Sequence, residues 1–234
     1  MKNTIILLLL CLGWAVHAQS PEQVVASYIQ AIGGKENLKK VKTITADIEV
    51  VSNGLAMDGR IAYSFPDKQY TEMIVRGEKI ITVVNGDKGW MVNPMTGSSN
   101  AFPMSEQQIQ STRRSPSADH LLDPSGYSLE DLGERQVKGK NYRVLKVIFS
   151  GGTQSRQNRY FNPETKLIDY VEMDSPAGGS ILMAYKEYTE VNGMRFPGLI
   201  LSYTGSDMDS PSMSMRMKNM KVNAPVDAGL FEKP

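Results

Sequence analysis

Hydrophobic positions follow two different periods along this chain. Val24, Val25, Tyr28, Ile29 and Ile32 recur at helical spacing. Ser20 stands at the cap position before them, Pro21 in the first turn and Gln23 at the reciprocal capping-box position. Gly33-Gly34 then stops the helix. A shorter turn, Lys35 to Lys40, leads on.

From Ile44 the period drops to two. Ile44, Ala46, Ile48 and Val50 alternate with Thr45, Asp47, Glu49 and Val51, the pattern of a strand with one polar face. Ile61, Tyr63 and Phe65 alternate next, until Pro66-Asp67 breaks the run. Further strands are predicted from Gln69 to Arg76, Lys79 to Val84 and Gly89 to Val92, then onward from Tyr127, Tyr142, Arg156, Leu167, Ile181, Arg195 and Ser212. Turn signals separate them: Asn53-Gly54, Asn85-Gly86-Asp87, Lys138-Gly139-Lys140, Asn162-Pro163-Glu164, Pro176-Ala177-Gly178-Gly179 and Asn192-Gly193. Between Pro103 and Asp123 the pattern changes, with a helix start at Ser105-Glu106-Gln107-Gln108-Ile109 and a break at Ser115-Pro116.

About eleven strands in mostly hairpin succession, with helices at the start and in the middle, predict an α+β, mainly β fold. The architecture expected is a single strongly curved antiparallel sheet. There is no internal repeat and no low-complexity linker, so residues 19–234 are expected to form one domain.

The segment before the first helix is of another kind. Lys2, the apolar run from Ile5 to Leu12 and the small-residue exit Val16-His17-Ala18 are the three parts of a secretory signal peptide. Cleavage is expected after Ala18, which makes residues 1–18 removable and the mature protein periplasmic. The run is short for crossing ~30 Å of hydrocarbon. Cys11, the sole cysteine, lies inside that run behind the large Leu10, so it is read as filler rather than as a lipidation site. A mature chain without cysteine has no disulfide, no thiolate nucleophile and no Cys-ligated metal.

Charge narrows the partners. The 26 Lys and Arg face 25 Asp and Glu, and loss of Lys2 with the leader makes them equal. A balanced chain sets up no long-range field toward phosphate, so nucleic acid is not an expected partner.

Five segments then carry a resemblance: Tyr28 to Leu38, Asn85-Gly86-Asp87 with Gly89-Trp90-Met91-Val92-Asn93-Pro94, Asn158 to Thr165, Val191 to Pro197, and Val222 to Phe231. In this order they resemble the LolA/LolB-like superfamily of periplasmic lipoprotein carriers and lipid-binding proteins, over nearly the whole mature chain. The resemblance implies an incomplete antiparallel barrel whose concave side is plugged by helices, with an apolar cavity that receives acyl chains. It also implies an arginine just before the proline that ends a strand, where it would latch the lid. Phe65 stands in that place here, which counts against dedicated lipoprotein handover but not against the cavity.

Candidate site residues follow from both readings. Met213, Met215 and Met217 share one face of a strand, with Ser214, Arg216 and Lys218 on the other. A methionine-rich face repacks readily around varied apolar partners, although it serves equally as ordinary core. The cavity set is Ile61, Tyr63, Phe65, Trp90, Met91, Phe102, Met104, Met213, Met215 and Met217, with Trp90, Met91, Phe102 and Met104 at its mouth. Ile109, Arg113 and Arg114 form the lid or partner contact; the arginine pair suits lipid phosphates or an acidic surface, or simply a solvated helix end. His120, the only histidine after the leader, has no Gly-x-Ser-x-Gly elbow to serve. Asp207-Met208-Asp209 lacks the oxygen spacing of a calcium loop.

The function expected is therefore a periplasmic binding or carrier protein, not an enzyme, with no cofactor and no metal. Its expected partners are a lipid or acylated protein, envelope proteins and a transient membrane surface, met as a monomer. The rival reading is an envelope protein-interaction or stress-sensing module on the same scaffold, without lipid transport.

Overall fold

The computed structural model describes residues 19–113, 121–150, 156–175, 178–204 and 208–234. Helix α1 (Pro21–Ala31) begins as its sequence dictates: Ser20 Oγ accepts from Gln23 N and Gln23 Oε1 accepts from Ser20 N. Helix α2 (Lys35–Leu38) follows, and α3 (Glu106–Arg113) comes later. The expected leader falls outside the described residues.

Thirteen strands make one sheet. The first six are β1 (Thr43–Ser52), β2 (Leu55–Ser64), β3 (Lys68–Val75), β4 (Glu78–Asn85), β5 (Lys88–Asn93) and β6 (Ser98–Pro103). The next four are β7 (Tyr127–Val137), β8 (Lys140–Phe149), β9 (Arg156–Phe161) and β10 (Ile168–Asp174). The last three are β11 (Ser180–Val191), β12 (Met194–Thr204) and β13 (Met213–Val222). The strand count exceeds the expected eleven or so, chiefly through β6. Its Ser98-Ser99-Asn100 opening carries no apolar alternation, and Pro103 ends it at a sheet edge, where a missing N–H is tolerated.

Every pairing is antiparallel, and the order is β6-β5-β4-β3-β2-β1-β13-β12-β11-β10-β9-β8-β7. Two hairpin meanders thus meet where the first strand pairs with the last. The sheet is not closed into a barrel: β6 and β7 are its two edges, although they are consecutive in sequence. Their connection, unlike every other, has to travel from one edge to the other.

One core cluster joins Val24, Val25, Tyr28 and Ile32 of α1 to side chains of β7 through β13 and of β1. Laid flat, those strands would spread over ~34 Å, far wider than a helix ~10 Å across. The sheet therefore curls round α1, and the face that carries α1 is the concave one. The helix end is tied to the β11–β12 hairpin, because Arg195 N donates to Ile32 O at 3.0 Å.

The outer face has two clusters of its own. Tyr142, Tyr160 and Tyr170 meet edge to face with centroids 5.4–6.3 Å apart. At the other end, the C-terminal turn Ala228–Phe231 lays Phe231 and Leu230 on Ala62, Tyr70, Val83 and Trp90.

Candidate functional site

Cross-strand partners in a sheet project from the same face, so register alone maps the concave surface. One row runs Ile200–Met215–Val50–Met57 across β12, β13, β1 and β2. A second runs Met217–Ile48–Gly59–Met73–Ile80 from β13 to β4. A third runs Ala46–Ile61–Thr71–Thr82–Met91–Phe102 out to the edge strand β6. On the other half, Val171 pairs with Met183, Met183 with Ser202 and Ser202 with Met213, while Met173 stands two residues beyond Val171.

Eight methionines of the helix-bearing face stay half-buried, Met57, Met73, Met91, Met173, Met183, Met213, Met215 and Met217, while Met194 on the same face is buried in the α1 core. None of the eight is fully buried and none is fully exposed. Gly59 makes room for one of them, since a Cβ there would come within 2.7 Å of Met73 Sδ.

The β6–β7 connection supplies cover. Met104 N donates to Gly89 O at 2.8 Å, and Ser105 with Gln108 caps α3 by reciprocal bonds of 2.8 and 3.3 Å. Ile109 of α3 is buried against β5; a Cβ on Gly89 would lie 2.9 Å from both Ile109 Cγ1 and Met104 Sδ. Farther on, Leu121 is fully buried in the α1 core, with its carbonyl accepting from Tyr127 Oη at 3.1 Å. The described parts of the connection thus lie on the concave face, over β4 and β5 at one end and in the α1 core at the other.

Most of the expected cavity residues gather on this surface. Ile61, Tyr63, Met91, Phe102, Met213, Met215 and Met217 lie on the concave face by register, and Met104 packs onto it through Gly89. Phe65 lies just beyond β2, stacked on Tyr63 with centroids 6.1 Å apart, and its peptide bond to Pro66 is cis. Trp90 is the correction. It pairs with Val83 on the opposite face and packs among Tyr70, Ile81 and Phe231, so it forms no part of a mouth with Met91. The alternation that turns Met91 inward turns Trp90 outward. Arg113 closes α3, while Arg114, His120 and Asp207 lie outside the described residues.

Sequence reasoning missed several concave residues. Met57 and Met73 were within reach, since Met57, Gly59, Ile61 and Tyr63 keep one parity along β2. Arg159 was not. It is 2% exposed on β9, pairs with Leu145 and Val171, and stands with Gln157 on the concave face. Its Nε and Nη2 donate to Gln157 Oε1 at 3.1 and 2.9 Å, and its guanidinium lies 5.4 Å from the Phe149 ring centre. Burial pushes its pKa below the ordinary arginine value, opposed by Tyr28, Tyr185, Tyr127 and Tyr188 around it. Burial likewise raises the Tyr185 and Tyr188 phenols.

The outer face holds a different polar group. Glu72 accepts from Tyr70 Oη at 2.8 Å and pairs with Arg60 and Lys79 at 3.3 and 3.6 Å. Shallow clefts of about 200 and 380 Å³ flank it, lined by Asp47, Arg60, Asn219 and neighbours. Arg60 and Glu72 line the larger cleft and are paired with each other. Among the described residues no group of three His, Cys, Asp or Glu side chains is close enough to hold a metal ion, and no helix is long and apolar enough to cross a membrane.

Solved structures share this architecture. A LolA superfamily protein from Nitrosomonas europaea superposes with a TM-score of 0.60 at 12% identity, over 92% of this chain and 99% of that one. The chain has the LolA-like fold. A putative outer membrane lipoprotein-sorting protein domain from Vibrio parahaemolyticus matches at 0.60 and 11% identity, over 91% and 96% of the two chains. A DUF1329 family protein from Desulfovibrio piger matches at 0.58 and 13%, over 89% and 97%. No family model matches the sequence, and no curated protein matches it. At such identities the LolA-like likeness is one of fold.

Proposed function

We propose that this LolA-like chain is a periplasmic binding or carrier protein that holds an acyl chain or similar apolar ligand between the curved sheet and its helical cover. The observation that carries the reading is that eight methionines of the helix-bearing face are left half-buried. An ordinary core closes over its side chains; a face kept partly open and built of unbranched thioethers suits an occupant of variable shape. Burial is worth ~0.8 kcal/mol per CH₂, so a hydrocarbon chain laid along these rows binds on apolar contact alone. One solved structure of the same fold is described as an outer membrane lipoprotein-sorting domain, which supports an envelope setting and a lipid or acylated protein as partner. With Phe65 stacked on Tyr63, the lid has no arginine latch at that position, so the reading is a lipid binder rather than a dedicated lipoprotein shuttle. It acts as a monomer, without enzymatic chemistry.

Native mass spectrometry with solvent extraction, on mature protein purified gently from its own envelope, tests this directly. A lipid or acylated species near unit ratio is expected, on a chain that begins at Gln19. An empty protein that also refuses added fatty acid and phospholipid overturns the carrier reading.

A further inference from the structure

One buried charge has no counter-charge among the described residues. Arg159 has five N–H donors, of which the described residues engage two, both on Gln157 Oε1. Among the described residues no carboxylate comes within ion-pairing distance of it. Buried cations are normally paired or given up, and an arginine does not give up its proton. On the same face, Tyr185 Oη is buried with no hydrogen-bond partner among the described residues. Both lie on the concave face, since Val171, the cross-strand partner of Arg159, pairs with Met183, two residues before Tyr185 on β11.

Their place in the sheet gives these two orphans a direction. The row of Arg159 continues as Val171, Met183, Ser202 and Met213. The row of Tyr185 continues as Ile200, Met215, Val50 and Met57. Each row crosses four strand spacings, ~19 Å at ~4.8 Å per strand. Polar donors at one end thus lead into the methionine-rich surface at the other, on the same face of the sheet.

We propose that Arg159, Tyr185 and Gln157 form an internal oxyanion site, which takes the acidic head of an amphiphile, a carboxylate or phosphate monoester, while its hydrocarbon lies along the methionine rows. The proposal rests on the carrier reading above and names the ligand class within it. The guanidinium offers its unused N–H groups as a fork to two oxygens of the head, Tyr185 Oη donates a third bond, and Gln157 holds the arginine in plane. A neutral lipid leaves those donors unmatched. Arg159 is 2% exposed, so the head has to displace part of the cover that α1 lays on this core.

The test compares dodecanoate, dodecanol and inorganic phosphate as ligands of the delipidated full mature chain at neutral pH. Dodecanoate is expected to bind about tenfold or more tighter than dodecanol, the margin of a charge-assisted head over a neutral one. Arg159→Met is expected to erase that margin, keep dodecanol binding and raise the melting temperature of the empty protein, because an unpaired buried charge has been removed. Tyr185→Phe narrows the margin in part, and Arg159→Lys, which keeps the charge but not the fork, retains less of it than wild type; these two decide the matter if Arg159→Met does not fold. Equal binding of acid and alcohol by the wild type overturns the oxyanion site and leaves the carrier reading intact. Binding of neither overturns the carrier reading. Phosphate bound as tightly as dodecanoate, and lost in Arg159→Met, makes the site one for a free anion and overturns the amphiphile.

Discussion

Gly33 shows how one side chain's absence positions the whole of α1. Its φ is +130°, and a Cβ there would lie 2.8 Å from both Gly193 O and Met194 Cγ. Gly33→Ala is therefore expected to cost about 2–3 kcal/mol, from backbone strain and from prising α1 off the β11–β12 hairpin; the midpoint of urea unfolding measures it. Asn223, by contrast, uses its side chain at the join of the two meanders. At φ +59°, it accepts from Lys42 N at 2.7 Å and donates to Lys40 O at 3.1 Å. Glu72, 8% exposed on the outer face, makes a pH-dependent contribution. Burial raises its pKa, but the Tyr70 hydroxyl, Arg60 and Lys79 together outweigh burial and leave it below the ordinary glutamate value. A carboxylate with a depressed pKa stabilises fully above the ordinary value of about 4.3 and loses that contribution as pH falls through its lower folded value. Glu72→Gln is thus expected to cost about 1 kcal/mol at neutral pH, with the two stability curves converging below about pH 4. Parallel curves across that range would show that Glu72 is not ionised against its neighbours.

The elements that sequence alone made legible are those whose local chemistry is unambiguous. Helix α1 carries its own capping box and glycine stop, and Asn53-Gly54, Lys138-Gly139 and Asn192-Gly193 all adopt the paired positive φ of tight hairpin turns. Strand β13 declared its faces, because methionine alternates there with Ser, Arg and Lys. Strand β9 did not: in Arg-Gln-Asn-Arg-Tyr-Phe both parities mix polar and aromatic residues, so nothing marks Arg159 as inward. Trp90 was misjudged for a related reason. Both faces of β5 are apolar, one facing α3 and the other the C-terminal turn, and an apolar strand does not say which way it faces. That turn makes its own prediction. Phe231 is buried on Tyr70, Val83 and Trp90, so Phe231→Ala is expected to cost about 3 kcal/mol or more, to be read from chemical denaturation. Trp90 emission should move to longer wavelength in the same variant while the protein is still folded, since the lost ring is part of its cover.

The topology of the molecule explains why its cover and its ligand surface coincide. With β1 and β13 at the centre and β6 and β7 at the edges, every connection but one can be short. The exception starts with α3 on β4 and β5 and ends with Leu121 in the α1 core, so its described parts cover the concave face at both ends without a second domain. This arrangement separates two apolar surfaces that sequence could not tell apart: a half-buried methionine surface beneath the lid, and a packed outer surface beneath the C-terminal turn. The separation can be read with one fluorophore moved from face to face. In the mature wild type, Trp90 reports the outer face, and its emission is expected to stay unchanged when dodecanoate binds. Phe102 is 49% exposed and pairs with Met91 on the concave face. A Phe102→Trp variant in a Trp90→Phe background is expected to shift to shorter wavelength on the same addition, as hydrocarbon replaces water against the indole. A shift of Trp90 with none at position 102 would put the ligand on the outer face, and the methionine rows would then be core that happens to be incompletely closed.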